Sequence, residues 1–174
     1  MQHPKHRDAR DQPADETLGT ATVPVPASAE VGPISHGIFR VARLHRMIAG
    51  HLLRRVGLHT GQELVMMQLW ELGPQRQTDL VHLLDSDAAT MTRTIKRLEN
   101  AGFVRRRPCP DDKRATLIEP TAASRALRRE VESIWTELEN AAVGTLDAAQ
   151  RAQSLQALRA LENNLARYAA KADE

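Results

Sequence analysis

The sequence has no long apolar run and no apolar leader segment. Nowhere do its 174 residues approach the roughly 18 unbroken apolar residues that a membrane-spanning helix needs. Residues 1–6 lead into no apolar stretch of the kind that a secretory signal requires. We therefore expect a cytoplasmic protein without a membrane partner.

Cysteine is limited to Cys109, which excludes an internal disulfide framework and a cysteine cluster for structural zinc. The seven histidines form no H-E-x-x-H motif and no Cys/His cluster. With 41% apolar residues the chain can build a core without such staples, so we predict no metal and no other cofactor. Glycine-rich phosphate loops, paired-carboxylate motifs and G-x-S-x-G are also missing, which argues against an enzyme.

The chain has little net charge, but its positive charge is concentrated in one segment. The formal net charge of the chain is only +2. Residues 90–114 hold eight basic and three acidic residues, a net charge of +5, so the rest of the chain carries −3. Such a local basic segment is typical of a surface that attracts a polyanion.

The first part of the chain divides into a tail and a helix. Residues 1–33 hold five of the nine prolines and show no helical or strand period, which predicts a disordered tail. Apolar residues at spacings of three and four then predict a helix that ends near Val56 and Gly57. We assign residues 34–59 as a first dimerisation helix. Its apolar stripe consists of Ile34, Ile38, Val41, Leu44, Ile48 and Leu52.

A run of short helices follows. Thr60 and Glu63 have the spacing of a capping box, which predicts a helix running to Leu72. Thr78 is suited to cap a third helix, and Asp87 is suited to cap a fourth after a tight turn. Two short helices joined in this way form a helix-turn-helix.

The fourth helix has one apolar and one polar face. Met91, Ile95 and Leu98 repeat at helical spacing and are predicted to face the core. Gly102 is predicted to end the helix in a left-handed conformation. The opposite face carries Thr90, Arg93, Thr94 and Arg97.

A β-hairpin with a charged tip is predicted next. Residues 103–107 read as a basic strand, and residues 111–119 return after the short link 108–110. A helix-turn-helix followed by such a hairpin is a winged helix-turn-helix, and we assign it to residues 60–119. This arrangement predicts a DNA-binding protein.

Residues 120–174 are predicted to form two long helices with more apolar surface than one small lobe needs. Pairing with a second copy would cover that surface, and a two-fold dimer would match a pseudo-palindromic operator with half-sites about 10 bp apart. The predicted fold is therefore mainly α with a small β-hairpin wing. It comprises a winged helix-turn-helix lobe and a dimerisation lobe made by the terminal helices.

The fourth helix is the predicted reading element, since an α-helix fits the major groove. Arg93 and Thr90, near its start, are predicted to contact bases, while Lys96 and Arg97 are predicted to contact phosphates. A merely solvated helix face is the alternative. The predicted DNA-contacting set is Thr78, Thr90, Thr92, Arg93, Thr94, Lys96, Arg97, Arg105, Arg107, Asp112, Lys113 and Arg114.

The hairpin tip supplies a second predicted contact. Arg114 lies two residues after Asp112, whose carboxylate can orient the guanidinium toward a narrow minor groove. The alternative is a surface ion pair that contributes less than about 1 kcal/mol.

The segments 57–62, 87–104 and 112–121, in this order, resemble the MarR family of bacterial regulators. The resemblance extends over residues 34–170. It implies a homodimer that binds an operator, more often as a repressor than as an activator. It also implies release by a small, often aromatic or phenolic anion bound between the dimerisation and DNA-binding lobes.

Basic residues on the first helix are the predicted effector contacts, because such relatives often hold their anionic effector on this side and guanidinium pairs well with carboxylate. Ordinary solvation of the helix is the alternative for each residue. Two other functions stay open: a winged-helix dimer that serves only as a protein interaction module, and a redox-responsive repressor whose Cys109 thiol is activated by the arginines at 105–107. The predicted ligand-binding set is His36, Arg40, Arg43 and His51.

Overall fold

The computed structural model describes residues 25–110, 112 and 115–172. Most of the predicted tail, residues 1–24, and the wing residues Lys113 and Arg114 lie outside the described residues. A 3-10 turn, Ala27–Ala29, precedes the first helix. The elements are α1 Pro33–Arg54, α2 Gln62–Leu72, β1 Gln75–Arg76, α3 Gln77–Leu83, α4 Ala88–Asn100, β2 Val104–Pro108, β3 Thr116–Pro120, α5 Ser124–Val143 and α6 Ala148–Ala172.

The fold is mainly helical with one small antiparallel sheet, which confirms the predicted fold class. β2 and β3 form the predicted hairpin, with Arg106 opposite Ile118. The sequence did not indicate β1, whose residues Gln75 and Arg76 pair with the other edge of β3 to give the order β1-β3-β2. Two residues are too few to show the alternation that reveals a strand.

Helix α4 forms as its sequence pattern predicts. Met91, Ile95 and Leu98 are buried, because their spacing places them on one side of the helix. The Asp87 carboxylate caps the helix by accepting a hydrogen bond of 2.7 Å from the Thr90 backbone N–H. Hydrogen bonding from the Thr90 side chain, together with this backbone bond, lowers the pKa of Asp87. Gly102 has φ +77°, the left-handed conformation predicted at the end of the helix.

Two predicted helix caps are wrong. α2 begins after Gly61 without a side-chain cap, and the Gln62 side-chain oxygen accepts a hydrogen bond from the His59 N–H at 2.8 Å. The predicted capping box of Thr60 and Glu63 is therefore not formed. Thr78 lies inside α3 and not before it.

The position of Thr78 follows from the strand that precedes α3. Pairing with β3 holds Arg76 in an extended conformation, with φ −70° and ψ 151°. The helix can then start directly after the strand, at Gln77. Thr78 is exposed in the first turn of α3, and its role in DNA binding stays a prediction.

The core lies under the helix-turn-helix and the sheet. It joins Leu53 of α1, Met66 of α2, Ile95 of α4, Ile118 of β3 and Val131 of α5, among others. Packing on this shared core fixes the position of α4. No helix among the described residues is long and apolar enough to cross a membrane.

Candidate nucleic-acid interface and ligand cavity

The outer face of α4 combines hydroxyl groups with positive charge. Burial of the apolar stripe turns this face away from the core. Thr90, Thr92, Arg93, Lys96 and Arg97 are exposed, and Thr94 is half-buried. The structure thus groups on one helix face six of the residues that the sequence assigned to DNA contacts.

Two side chains at the start of this face are linked to each other. The Arg93 guanidinium donates a hydrogen bond of 3.0 Å from Nη2 to Thr90 Oγ1. Because Asp87 fixes the Thr90 backbone, the pair is held at the amino-terminal end of α4. A recognition helix contacts base edges with the residues at this end.

Thr92 has a structural contact that the sequence did not reveal. Its hydroxyl donates to the Ala88 carbonyl oxygen at 2.7 Å and accepts from Gln77 Nε2 at 2.7 Å. The second bond links α4 to α3, so Thr92 helps to fix the angle between the two helices. Because its hydroxyl already donates one hydrogen bond and accepts another, it has less capacity left for a contact with DNA.

The two cations farther along the helix have no such restraint. No salt bridge joins Lys96 or Arg97 to another of the described residues. Both side chains are exposed. Exposed cations of this kind suit contacts with phosphate, which need charge but little fixed geometry.

The arginines of β2 are paired with carboxylates. Arg105 Nε lies 2.9 Å from Glu119 on β3, and Arg107 Nε lies 3.6 Å from the same carboxylate. The contact with Arg105 lowers the pKa of Glu119. Arg106 points to the other side of the sheet and pairs with Glu99 of α4 at 3.2 Å. Part of the positive charge in the basic segment is therefore neutralised by carboxylates of the same chain.

The wing cysteine, Cys109, lies next to an arginine outside the segment 105–107 that the sequence indicated. Cys109 is buried, and its Sγ lies 3.9 Å from Nη2 of Arg76 on β1. This hydrogen bond raises the pKa of Arg76. The sequence linked Cys109 to residues 105–107, two of which pair with Glu119. The contact depends on β1, the strand that the sequence pattern did not show.

A cavity of about 390 Å³ opens beside the helix-turn-helix, between α1, α2, α4 and α5. Its apolar wall includes Ala49 and Leu53 of α1 together with the α5 residues Ile134 and Leu138. Trp135 also lines it. The cavity has the volume and the mixed lining of a small-molecule site.

The polar residues of this cavity differ from the predicted ligand set. His45 and Arg46 of α1 line it, and Thr90 of α4 reaches it from the other side. Arg43 lies beside a second, shallower hollow on α1, while Arg40 and His51 line neither of the two. The predicted role of these residues in binding the effector stays a prediction. The same holds for His36, which lies in the segment before Ile38.

Glu63 is a buried titratable residue that lines the cavity. It lies in the first turn of α2 and is only 6% exposed. Its Oε2 atom has no hydrogen-bond partner among the residues that the structure describes. Burial raises the pKa of this carboxyl, although the backbone amides at Gly61 and Glu63 act in the opposite direction.

These elements define a winged helix-turn-helix: α3 and α4 are joined by a tight turn, and the β2–β3 wing follows. Residues 58–116 match the MarR family. YwoH of Bacillus subtilis (strain 168), an uncharacterized HTH-type transcriptional regulator, is 37% identical over 103 residues, which cover 59% of this chain and 69% of that protein. The chain belongs to the MarR family of transcriptional regulators.

Solved structures share the fold. A MarR mutant from E. coli complexed with operator DNA has a TM-score of 0.72 at 22% identity, covering 79% of this chain and 99% of that one. Bordetella bronchiseptica BpsR, whose DNA binding is regulated by 6-hydroxynicotinic acid, has a TM-score of 0.68 at 25% identity, covering 74% and 92%.

Proposed function

We propose that this regulator is a homodimeric repressor whose two α4 helices read a pseudo-palindromic operator in the cytoplasm. The observation that carries the proposal is the exposed face of α4. It presents the linked pair Thr90 and Arg93 next to two cations, Lys96 and Arg97, that no described carboxylate neutralises. A face with hydroxyls, a positioned guanidinium and exposed cations suits the major groove.

The residues of α4 would divide into two roles. Arg93 and Thr90 would contact base edges, because they lie at the end of the helix that enters the groove. Lys96 and Arg97 would contact phosphates and give affinity without sequence preference. Thr92 and Thr94 would lie against the backbone or a thymine methyl.

The wing would add contacts outside the major groove. Arg105 and Arg107 would reach phosphates with guanidinium nitrogens other than the Nε atoms that face Glu119. Asp112 would orient Arg114, and Lys113 would support them at the minor groove.

The terminal helices would hold the dimer together. α6 spans 25 residues, and none of its described residues is buried. Leu158 and Tyr168 on it are 59% and 77% exposed, and Phe39 and Leu44 of α1 are exposed as well. Covering such surface releases roughly 25 cal/mol per Å². Residues 34–59 and 120–174 would then form the dimerisation lobe, and residues 60–119 the DNA-binding lobe.

A small aromatic or phenolic effector would bind in the cavity between the two lobes and cause the protein to release the operator. The cavity has room for one ring and includes Thr90 in its lining. BpsR offers a parallel, since 6-hydroxynicotinic acid regulates its DNA binding. An occupant touching Thr90 would disturb the helix that reads the bases.

Selection of bound duplexes from a random DNA library tests the proposal with the purified full chain. We expect a two-fold symmetric motif with half-sites about 10 bp apart. Arg93→Ala should weaken binding by about 1–3 kcal/mol and relax the preference at one base pair of each half-site. Arg129→Ala, an exposed arginine of α5, is the matched control and should select the wild-type motif. Recovery of no enriched sequence would favour the protein interaction module.

A further inference from the structure

One buried oxygen in the cavity lacks the partner that such atoms normally have. Glu63 is 6% exposed, and its Oε2 makes no hydrogen bond within the described part of the chain. Buried polar atoms are almost always hydrogen-bonded, because leaving one unsatisfied is costly. An acceptor that faces a cavity can obtain its missing donor from a ligand.

The surroundings of Glu63 limit what that ligand can be. Leu53, Ile134 and Leu138 supply an apolar wall, and Trp135 supplies an aromatic one. A volume of about 390 Å³ has room for an aromatic ring together with its substituents. The occupant is therefore largely apolar and places one polar group against the carboxylate.

Charge decides the type of polar group. His45 and Arg46 also line the cavity, but both are exposed on α1, whereas Glu63 is buried. A carboxylate ligand at the buried end would meet the Glu63 carboxyl, and two carboxylates in a site of low dielectric repel strongly unless one of them takes up a proton. A hydroxyl or a protonated amine instead donates the hydrogen bond that Oε2 lacks.

We propose that Glu63 selects the effector: the cavity takes a small ring-containing molecule that donates a hydrogen bond, from a hydroxyl or an ammonium group, to Glu63 Oε2. This inference rests on the proposed release of the operator by a small molecule. It adds a selecting residue outside the set His36, Arg40, Arg43 and His51, and it changes the expected chemistry from an anion to a donor.

The cavity also gives the effector a contact with the recognition helix. Thr90 lines it, and the Thr90 hydroxyl accepts the hydrogen bond from Arg93. A molecule anchored on Glu63 can therefore touch a residue that holds the base-reading guanidinium. Thr90 therefore connects the occupied cavity to the residue that reads the bases.

Calorimetric titration of the full chain without DNA tests the selection. The three probes are benzyl alcohol, benzylamine and benzoate, which share one ring and differ in the polar group. We expect both donors to bind more tightly than benzoate. Glu63→Gln should lower the affinity for benzylamine roughly ten- to hundredfold, because the charge-assisted bond is lost. Glu71→Gln removes the same charge from an exposed position on α2 and should bind the probes like the wild type.

Three results would overturn the inference: benzoate binding at least as tightly as the donors, no binding of any probe, or wild-type affinity for benzylamine in Glu63→Gln. The ranking of the probes on the wild-type chain needs no variant, so it decides the matter even if Glu63→Gln fails to fold. Operator affinity is measured on the same wild-type preparation without probe. Its absence would refute the proposed function, whereas a failed ranking with intact DNA binding would refute this inference alone.

Discussion

At the scale of single residues, the surroundings of a charge determine what it can do. Arg93 is held by Thr90, Arg105 shares Glu119 with Arg107, and Lys96 has no ion-pair partner among the described residues. Exposed pairs such as that of Arg105 stabilise a protein by less than about 1 kcal/mol, so DNA phosphates can compete for them. The buried carboxylate of Glu63 has no such freedom.

Glu63 should make the stability of the protein depend on pH. Burial raises its folded-state pKa above the ordinary value of 4.5. Its contribution to stability is therefore fully present below about pH 4.5 and is lost as the pH rises through the folded pKa. We expect the free energy of unfolding of the wild type to fall relative to that of Glu63→Gln as the pH rises from 4.5 to 8.

Urea titrations of both proteins at several pH values measure this difference, and Glu71→Gln controls for the change in net charge. A difference between wild type and Glu63→Gln that stays constant over the range would show that the burial of Glu63 does not perturb its titration. A difference of opposite sign would show that the backbone hydrogen bonds at Gly61 and Glu63 outweigh burial.

At the scale of elements, strong periodicity was predictable and short or context-dependent features were not. The two faces of α4 follow from its 3.6-residue repeat, and Asp87 caps it as predicted. β1 was not predictable, since its two residues form a strand only because β3 lies beside them. The capping box predicted at Thr60 and Glu63 is not formed, because Gly61 and not Thr60 directly precedes α2 and Glu63 lines the cavity.

The end of α4 offers a test of an element boundary. Gly102 has φ +77°, and no other part of the structure lies within 4 Å of the place that a Cβ would take, so Gly102→Ala meets conformational strain and no steric clash. We expect a loss of roughly 1 kcal/mol in the free energy of unfolding. Gly37→Ala, inside α1 and also in open space, should raise it by about 0.5–1 kcal/mol, because alanine favours a helix. Equal effects of the two variants in urea titrations would refute the assignment of Gly102 as the left-handed residue that ends α4.

At the scale of the whole molecule, the MarR fold was predictable from the order of its motifs, whereas the cavity was not. The cavity needs α1, α2, α4 and α5 to meet, and no local pattern gives the side chains that line such a meeting point. The predicted ligand residue Arg43 and the cavity residues His45 and Arg46 all lie on α1, but Arg43 does not line the cavity. The apolar seams of the terminal helices, meaning the exposed apolar stripes along α1 and α6, follow by contrast from the helical spacing of their apolar residues.

Those seams predict the oligomeric state. We expect light scattering at micromolar concentration to give twice the chain mass of 19.3 kDa. Leu158→Glu places a charge in the exposed seam of α6 and should shift the protein toward monomer. Gln156→Glu adds the same charge at another exposed position of that helix and is the matched control. A wild-type mass of one chain would refute the dimer.

The salt dependence of operator binding tests the central claim most directly. Fluorescence anisotropy titrations of the full chain against the selected duplex, at several KCl concentrations, should give a logarithm of affinity that falls linearly with the logarithm of salt. Lys96→Ala should lower the slope by about one unit for each operator-bound chain, because one phosphate contact is lost. Affinity that does not change with salt, or an unchanged slope in Lys96→Ala, would contradict the account of α4 as the DNA-reading helix.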